Sequence, residues 1–249
     1  MFLLSWCETA AQWGLDFVYP RCCLLCRCLL PEKAKRDEKF CFRCLAAIAP
    51  EIPYRCRRCS APVGPHLNTD RGCLHCNRYK HQYHQVVSLG PYQNELRRAC
   101  LRAKQHGQRA LAAALAGLMC RRHQTLLQEW KCDFIIPVPH HWRDRLHVEH
   151  ATMAISEALS RTLKIPVRFQ SLHKIRRTRR QQELPASVRE SNLKGAFRVG
   201  RTRDVSGKRI LLTDDILTTG ITADRCARAL LDAGAARVNV AVLARSIGG

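Results

Sequence analysis

Two adjacent carboxylates, Asp214 and Asp215, close an apolar run in the stretch ILLTDDILTTGIT, residues 210 to 222, and are followed by Thr218, Thr219, Gly220, Ile221 and Thr222. Neighbouring acids behind an apolar run repel each other and lose hydration, so their presence there asks for a compensating partner. The order of groups suggests one. Carboxylates accept hydrogen bonds from hydroxyls. The turn after them leads into a helix whose first amides, from about Gly220 to Thr222, have no intrahelical acceptor and lie at the positive end of the helix dipole, where a phosphate is well placed. Thr218, Thr219 and Thr222 add hydroxyl donors, and Gly220, without a β-carbon, lets the backbone approach an anion closely. A sugar with two free hydroxyls and a phosphate on its 5′ carbon matches acceptors followed by donors. The stretch contains neither G-x-x-x-x-G-K-[ST] nor G-x-G-x-x-G, which excludes a Walker P-loop and a dinucleotide fingerprint. A strand end capped by one aspartate, with Gly220 only turning the chain, is the plainer alternative, and the full 13-residue pattern outweighs it.

A second chemistry belongs to sulfur. Of 15 cysteines, eleven precede residue 80, and eight of these form Cys-x-x-Cys pairs: Cys23/Cys26, Cys41/Cys44, Cys56/Cys59 and Cys73/Cys76. A two-residue gap lets a tight turn aim both sulfurs at one point, and two such knuckles supply a tetrahedral zinc site. Spacers of 14 and 13 residues within successive couples suit zinc ribbons, so two Zn²⁺ are expected. The alternative, a disulfide framework, fits poorly with a chain that shows no secretion signal, because a reducing cytosol keeps thiols reduced. Cys22 competes with Cys23 for the first knuckle, Cys28 crowds it, and sequential against interleaved pairing stays open. His75, His81 and His84 are near enough to be spare ligands. Four thiolates leave no open coordination position, so the metal is read as structural.

These groups need elements to hold them. Residues 1–18 read as a short amphipathic helix, 19–80 as a double zinc ribbon, and 84–249 as an α/β domain. The strand pattern at Phe134 to Ile136 is ended by Pro137 and Pro139, helix follows from about Ala151 to Leu163, a strand runs from Arg209 to Thr213, a helix from Thr222 to Ala233 stops at Gly234, and RVNVAVLA supplies a further strand. Strands alternating with helices indicate a parallel sheet, whose ligands sit beyond the carboxyl ends of its strands. Lys and Arg number 42 against 20 Asp and Glu, a formal charge of +22 that points toward polyanions. No apolar stretch has the length of a bilayer span, and the expected location is cytoplasmic.

The 210–222 stretch resembles the phosphoribosyl pyrophosphate (PRPP) motif of type I phosphoribosyltransferases. Nearly the whole chain is similar to the ComF/GntX family, which joins a double zinc ribbon to a phosphoribosyltransferase domain. The likeness is carried by the cysteine pairs after YPRC, by PYQNELRRACLRAKQHG with Lys104, by IIPVPHHWRDR, and by RTRRQQELPASVRESNLKGAFRV followed by GKRILLTDDILTTGITADRCARALLDAGAARVNVAVLAR. It implies the type I fold, with Asp214 and Asp215 as the catalytic pair on the ribose hydroxyls and Thr218 to Thr222 on the 5′-phosphate. It also implies Lys104, Arg143 and Arg145 as further substrate-binding residues, the two arginines on pyrophosphate, and Mg²⁺ arriving with PRPP. Lys174, Arg176, Arg177, Arg179 and Arg180 occupy the place of the transferase mobile loop and are candidates for gripping single-stranded DNA. Competence-machinery proteins are implied partners. Family members carry Arg-Gly-Phe-Asn-Gln after the Pro-Val-Pro strand, whereas this chain reads RLHVEHA from Arg145 to Ala151. Three functions remain open: a PRPP-binding protein of DNA uptake or utilisation, a salvage transferase acting on a base or amine, and a non-catalytic PRPP sensor that binds nucleic acid.

Overall fold

The computed structural model describes residues 20–35, 37–77, 81–139, 151–176, 178 and 192–247. The expected helix at 1–18, Arg143, Arg145 and the RLHVEHA segment before Ala151, and Arg177, Arg179 and Arg180 all lie outside the described residues. The chain divides into two compact units, Met1–Pro50 and Glu51–Gly249. In the first, the knuckle around Cys23 and Cys26 is followed by helix α1 (Phe42–Ile48), which opens at Cys41 and so sets the Cys41/Cys44 pair on its first turn.

The second unit starts with a knuckle at Cys56 and Cys59 and a short helix α2 (Leu74–Asn77), and continues as an α/β domain. Strand β1 (Val86–Pro91) is followed by helices α3 (Asn94–Ala103), α4 (Arg109–Arg122) and α5 (Gln124–Glu129). Strand β2 (Phe134–Pro137) and helix α6 (Ala151–Leu163) come next, then an antiparallel pair, β3 (Leu172–Lys174) and β4 (Phe197–Val199). Strand β5 (Arg209–Leu217), helix α7 (Ile221–Asp232) and strand β6 (Arg237–Arg245) complete it. The main sheet runs β1-β6-β5-β2, parallel throughout. Parallel strands need crossovers that cover both faces, so the inner strands bury both sets of alternating side chains. Ile210 and Leu212 of β5 face the core built with Ile221, Cys226 and Leu230 of α7. Thr213, the residue after Leu212, is buried and shares a 2.7 Å hydrogen bond with Ser156 of α6.

Two strand limits differ from the pattern expected of the sequence. Strand β5 does not stop at Thr213; its pairing with β6 continues through Asp214 opposite Val242 to Leu217 opposite Arg245, so the acidic pair is held inside a ladder. Pro137 belongs to β2, paired with Thr213, which an edge position allows because the missing N–H breaks no bond on the open side.

Strand β1 forms the other edge, and its polar groups are satisfied by side chains. Arg55, next to Cys56, donates to the Ser88 carbonyl at 3.2 Å and the Leu89 carbonyl at 3.1 Å, while the Ser88 amide donates to Ser60 Oγ at 3.2 Å. Arg122 donates to the Leu89 carbonyl as well, at 2.7 Å. Burial and the neighbouring Arg122 pull Arg55 down to about 10, which leaves it charged at neutral pH. These contacts fasten the second knuckle pair to the sheet, with which it shares the compact unit Glu51–Gly249. Replacing Arg55 by Met should remove one of the donors from each of the Ser88 and Leu89 carbonyls, leaving His123 and Arg122 on them, and lower unfolding free energy by about 1–3 kcal/mol, measurable as a reduced urea midpoint; an unchanged midpoint would show that these other contacts hold the edge.

Candidate functional site

The acidic pair sits where the sheet ends. Asp214 and Asp215 are both half-buried, and the Asp215 amide donates to Asp214 Oδ1 at 2.9 Å. Lys104, the residue that closes α3, places Nζ 2.9 Å from Asp215 Oδ2. Burial pushes Asp214 up to about 8 and the Asp215 charge adds to this, against the pull of the Asp215 amide and Lys104. Burial works against the charged form of Lys104, but Asp215, Asp214 and Tyr92 together raise it. The repulsion between adjacent acids is therefore relieved in two ways: Asp215 is paired with an ammonium, and burial favours the protonated form of Asp214.

The turn that follows has the expected openness. Gly220 adopts φ 82° and ψ 0°, a left-handed conformation suited to glycine. A β-carbon there would stand 2.6 Å from Tyr83 Oη and 3.0 Å from His81 Cε1, so space as well as backbone angle demands Gly. The Asp224 amide makes the first helical bond, to the Gly220 carbonyl at 2.8 Å, and the Ile221 amide leans on Thr219 Oγ1 at 3.5 Å. The amides of Thr222 and Ala223 have no acceptor among the described residues, as the start of a helix requires. Thr218 is exposed, and Thr219 and Thr222 are half-buried. Ile221 is 5% exposed with its side chain in the core, so only its backbone is available to a ligand.

Asp214, Asp215, Lys104 and the 218–222 turn are thus assembled around the end of β5. Lys174 ends β3 and is half-buried; Arg176 is exposed and donates to the Asn192 and Lys194 carbonyls at 2.8 and 2.9 Å. His81 is not a spare metal ligand. It is buried, stacked on Tyr83 with ring centroids 4.7 Å apart, and pulled down to about 4 by burial and then by the charges of Arg245 and Arg58. His81, Tyr83 and Arg245 form the back of the turn, and sequence reasoning missed that role for all three. The one available signal was an arginine ending the apolar run VNVAVLAR.

The eight paired cysteines form two groups, Cys23, Cys26, Cys41, Cys44 and Cys56, Cys59, Cys73, Cys76, each with sulfurs within 4.8 Å of one another. Pairing is sequential, and Cys23 rather than Cys22 belongs to the first group. Separations of 3.6 Å for Cys26–Cys41, 3.6 Å for Cys59–Cys73 and 3.9 Å for Cys56–Cys76 match the roughly 3.8 Å between thiolates of a tetrahedral zinc site with Zn–S near 2.3 Å. In the second group the Cys73 amide also donates to Cys76 Sγ at 3.1 Å. Cys56 is drawn down to about 5, chiefly by the Cys59 thiol, and the same contact drives Cys59 far up. Both groups have the donor set and spacing to hold Zn²⁺.

Residues 148–249 match the model of the phosphoribosyl transferase domain. The DNA utilization protein YhgH of Salmonella typhi is 30% identical over 238 residues, spanning 92% of this chain and 98% of that protein. The chain belongs to the ComF family. Competence protein F of Haemophilus influenzae is 29% identical over 204 residues, 78% of this chain and 86% of that protein. The B. subtilis glutamine PRPP amidotransferase overlaps this structure only partly, at TM-score 0.38 and 20% identity over 58% of this chain and 30% of that one. The match over residues 148–249 and the parallel sheet flanked by helices give the chain a type I phosphoribosyltransferase domain, and no helix among its described residues is long and apolar enough to cross a membrane.

A carboxyl whose folded pKa lies above its unfolded value binds a proton that unfolding releases, so its contribution to stability is lost as pH rises between the two. Stability of the ligand-free chain should decline between about pH 4 and about pH 8 on account of Asp214, and Asp214→Asn should flatten that part of the profile. Identical slopes in wild type and variant, by urea denaturation across this range, would contradict the raised pKa.

Proposed function

We propose that this chain binds Mg-PRPP where β5 meets α7 and serves the utilisation or uptake of DNA through single strands. The observation that carries the reading is the lysine-balanced acidic pair, followed within one turn by a left-handed glycine and open helix amides. Asp214 and Asp215 accept the ribose hydroxyls, and the backbone of Gly220 to Thr222 with the hydroxyls of Thr218, Thr219 and Thr222 takes the 5′-phosphate. Arg143 and Arg145 serve the pyrophosphate, whose charge brings the magnesium with it. The protein's contribution to any transfer is orientation and stabilisation of the leaving charge. The names of its relatives support the DNA role, as does a formal charge of +22. Lys174 and Arg176, with Arg177, Arg179 and Arg180, are the proposed strand-binding residues. Zinc fills both cysteine groups and holds the ribbons folded.

Four experiments check this. Asp214→Asn with Asp215→Asn should abolish Mg-PRPP binding in calorimetry, and an unaltered titration would remove the sugar from this place. Because Asp214 must shed its proton to act as a full acceptor, wild-type affinity should tighten from pH 7 to pH 9, by up to about tenfold for one released proton; a flat profile would mean that the neutral acid is the binding form. Purified protein should contain two zinc ions, and Cys59→Ser should leave one; full metal content in that variant would refute the assignment of the second group. Pyrophosphate release from Mg-PRPP with a panel of bases, with and without single-stranded DNA, separates turnover from binding alone.

A further inference from the structure

We propose that Arg245, the last residue of β6, is a positioning residue for the anion site: its buried guanidinium ties down the turn between β5 and α7 and supplies a fixed positive charge whose counter-ion is the ligand's 5′-phosphate. This rests on the PRPP reading and adds to it a residue outside the 210–222 motif.

Arg245 is 3% exposed, and arginines are almost never so deeply buried unless paired with an anion. Among the described residues no carboxylate stands within ion-pair distance of it. The nearby acids are engaged elsewhere: Asp215 with Lys104 at 2.9 Å, and Asp224 with the Gln82 amide at 2.6 Å and, 3.9 Å away, His81 Nδ1. The guanidinium instead donates through Nη1 to the Leu217 carbonyl at 3.0 Å and to the Thr218 carbonyl, while its Nε, also buried, has no partner. Carbonyl oxygens satisfy donors but bring no net negative charge, so a desolvated cation is left uncompensated.

Position gives that charge a purpose. Arg245 stands opposite Leu217 in the β5–β6 ladder, and the carbonyls it holds belong to the last residue of β5 and the first of the turn. The other groups behind the turn, His81 and Tyr83, are packed against Gly220 and are neutral, each held so chiefly by burial. A dianionic phosphate on the amides of Gly220 to Thr222 would supply the missing negative charge within the same few residues. Carbonyl bonds from Arg245 also fix the direction in which the turn presents its amides, so geometry and field act on one anion.

The test compares wild type with Arg245→Met, which keeps the stem and removes the charge, and Arg245→Lys, which keeps the charge and removes the fork. Binding of Mg-PRPP and of ribose 5-phosphate is measured by calorimetry, with thermal unfolding of the ligand-free proteins alongside. Arg245→Met should weaken both ligands by about tenfold or more, equally, since both carry the 5′-phosphate, while ligand-free stability stays level or rises because an uncompensated charge has gone. Arg245→Lys should recover most of the affinity, and it carries the comparison if the Met variant does not fold. Wild-type-like affinity in Arg245→Met, a loss confined to Mg-PRPP, or equal losses in Met and Lys variants would each overturn the proposal. Failure of the wild type itself to bind Mg-PRPP would instead bring down the functional reading on which it rests.

Discussion

Charge placed at the end of a dry sheet is the constraint from which the rest of this molecule follows. Strands β5 and β6 are the two inner strands and most of their alternating side chains are buried on both faces, yet toward their carboxyl ends they carry Asp214, Asp215 and Arg245. A chain that desolvates three ionisable groups on neighbouring strands must offset the cost locally. It does so by a lysine for one acid, a pKa raised by burial for the other, and two backbone carbonyls for the arginine. None of these solutions is complete. The acid pair keeps acceptor capacity and, among the described residues, the arginine has no carboxylate partner; the proposed ligand, with hydroxyls at one end and a phosphate at the other, would complete both.

The same economy appears in the cysteine groups, which solve a different problem. A ribbon of this size buries little apolar surface, and four sulfurs at tetrahedral spacing could supply the missing free energy by binding a metal. The second group does more than close its own loop. Arg55 and Ser60, on either side of its first knuckle, satisfy the open edge of β1, and Arg58, between Cys56 and Cys59, donates to the His81 carbonyl at 2.9 Å. His81 in turn lies against Gly220. The ribbon thus protects an edge strand that would otherwise offer itself to another chain, and its packing reaches the back of the turn between β5 and α7.

Much of this was determined by sequence alone, wherever the physics is local. Cys-x-x-Cys spacing fixes where two sulfurs point, an apolar run followed by acids, Thr-Thr-Gly and a helical pattern defines a strand, a turn and an open helix start, and both survived with small changes of limit. The sequential pairing of knuckles, the choice of Cys23 over Cys22 and the extension of β5 to Leu217 were decided only by the fold, because each depends on which distant segment lies alongside. Lys104 could be named from its motif, but its 2.9 Å contact with Asp215 arises only when α3 packs over the end of the sheet. The places of His81, Tyr83 and Arg245 were invisible for the same reason: a histidine, a tyrosine and an arginine with ordinary neighbours in the chain come together only when folding sets the first two against Gly220 and the third on the Leu217 and Thr218 carbonyls. Periodicity and spacing report interactions between residues close in sequence, whereas desolvation and charge compensation are set by every atom within a few ångströms, and those atoms come from segments more than a hundred residues apart.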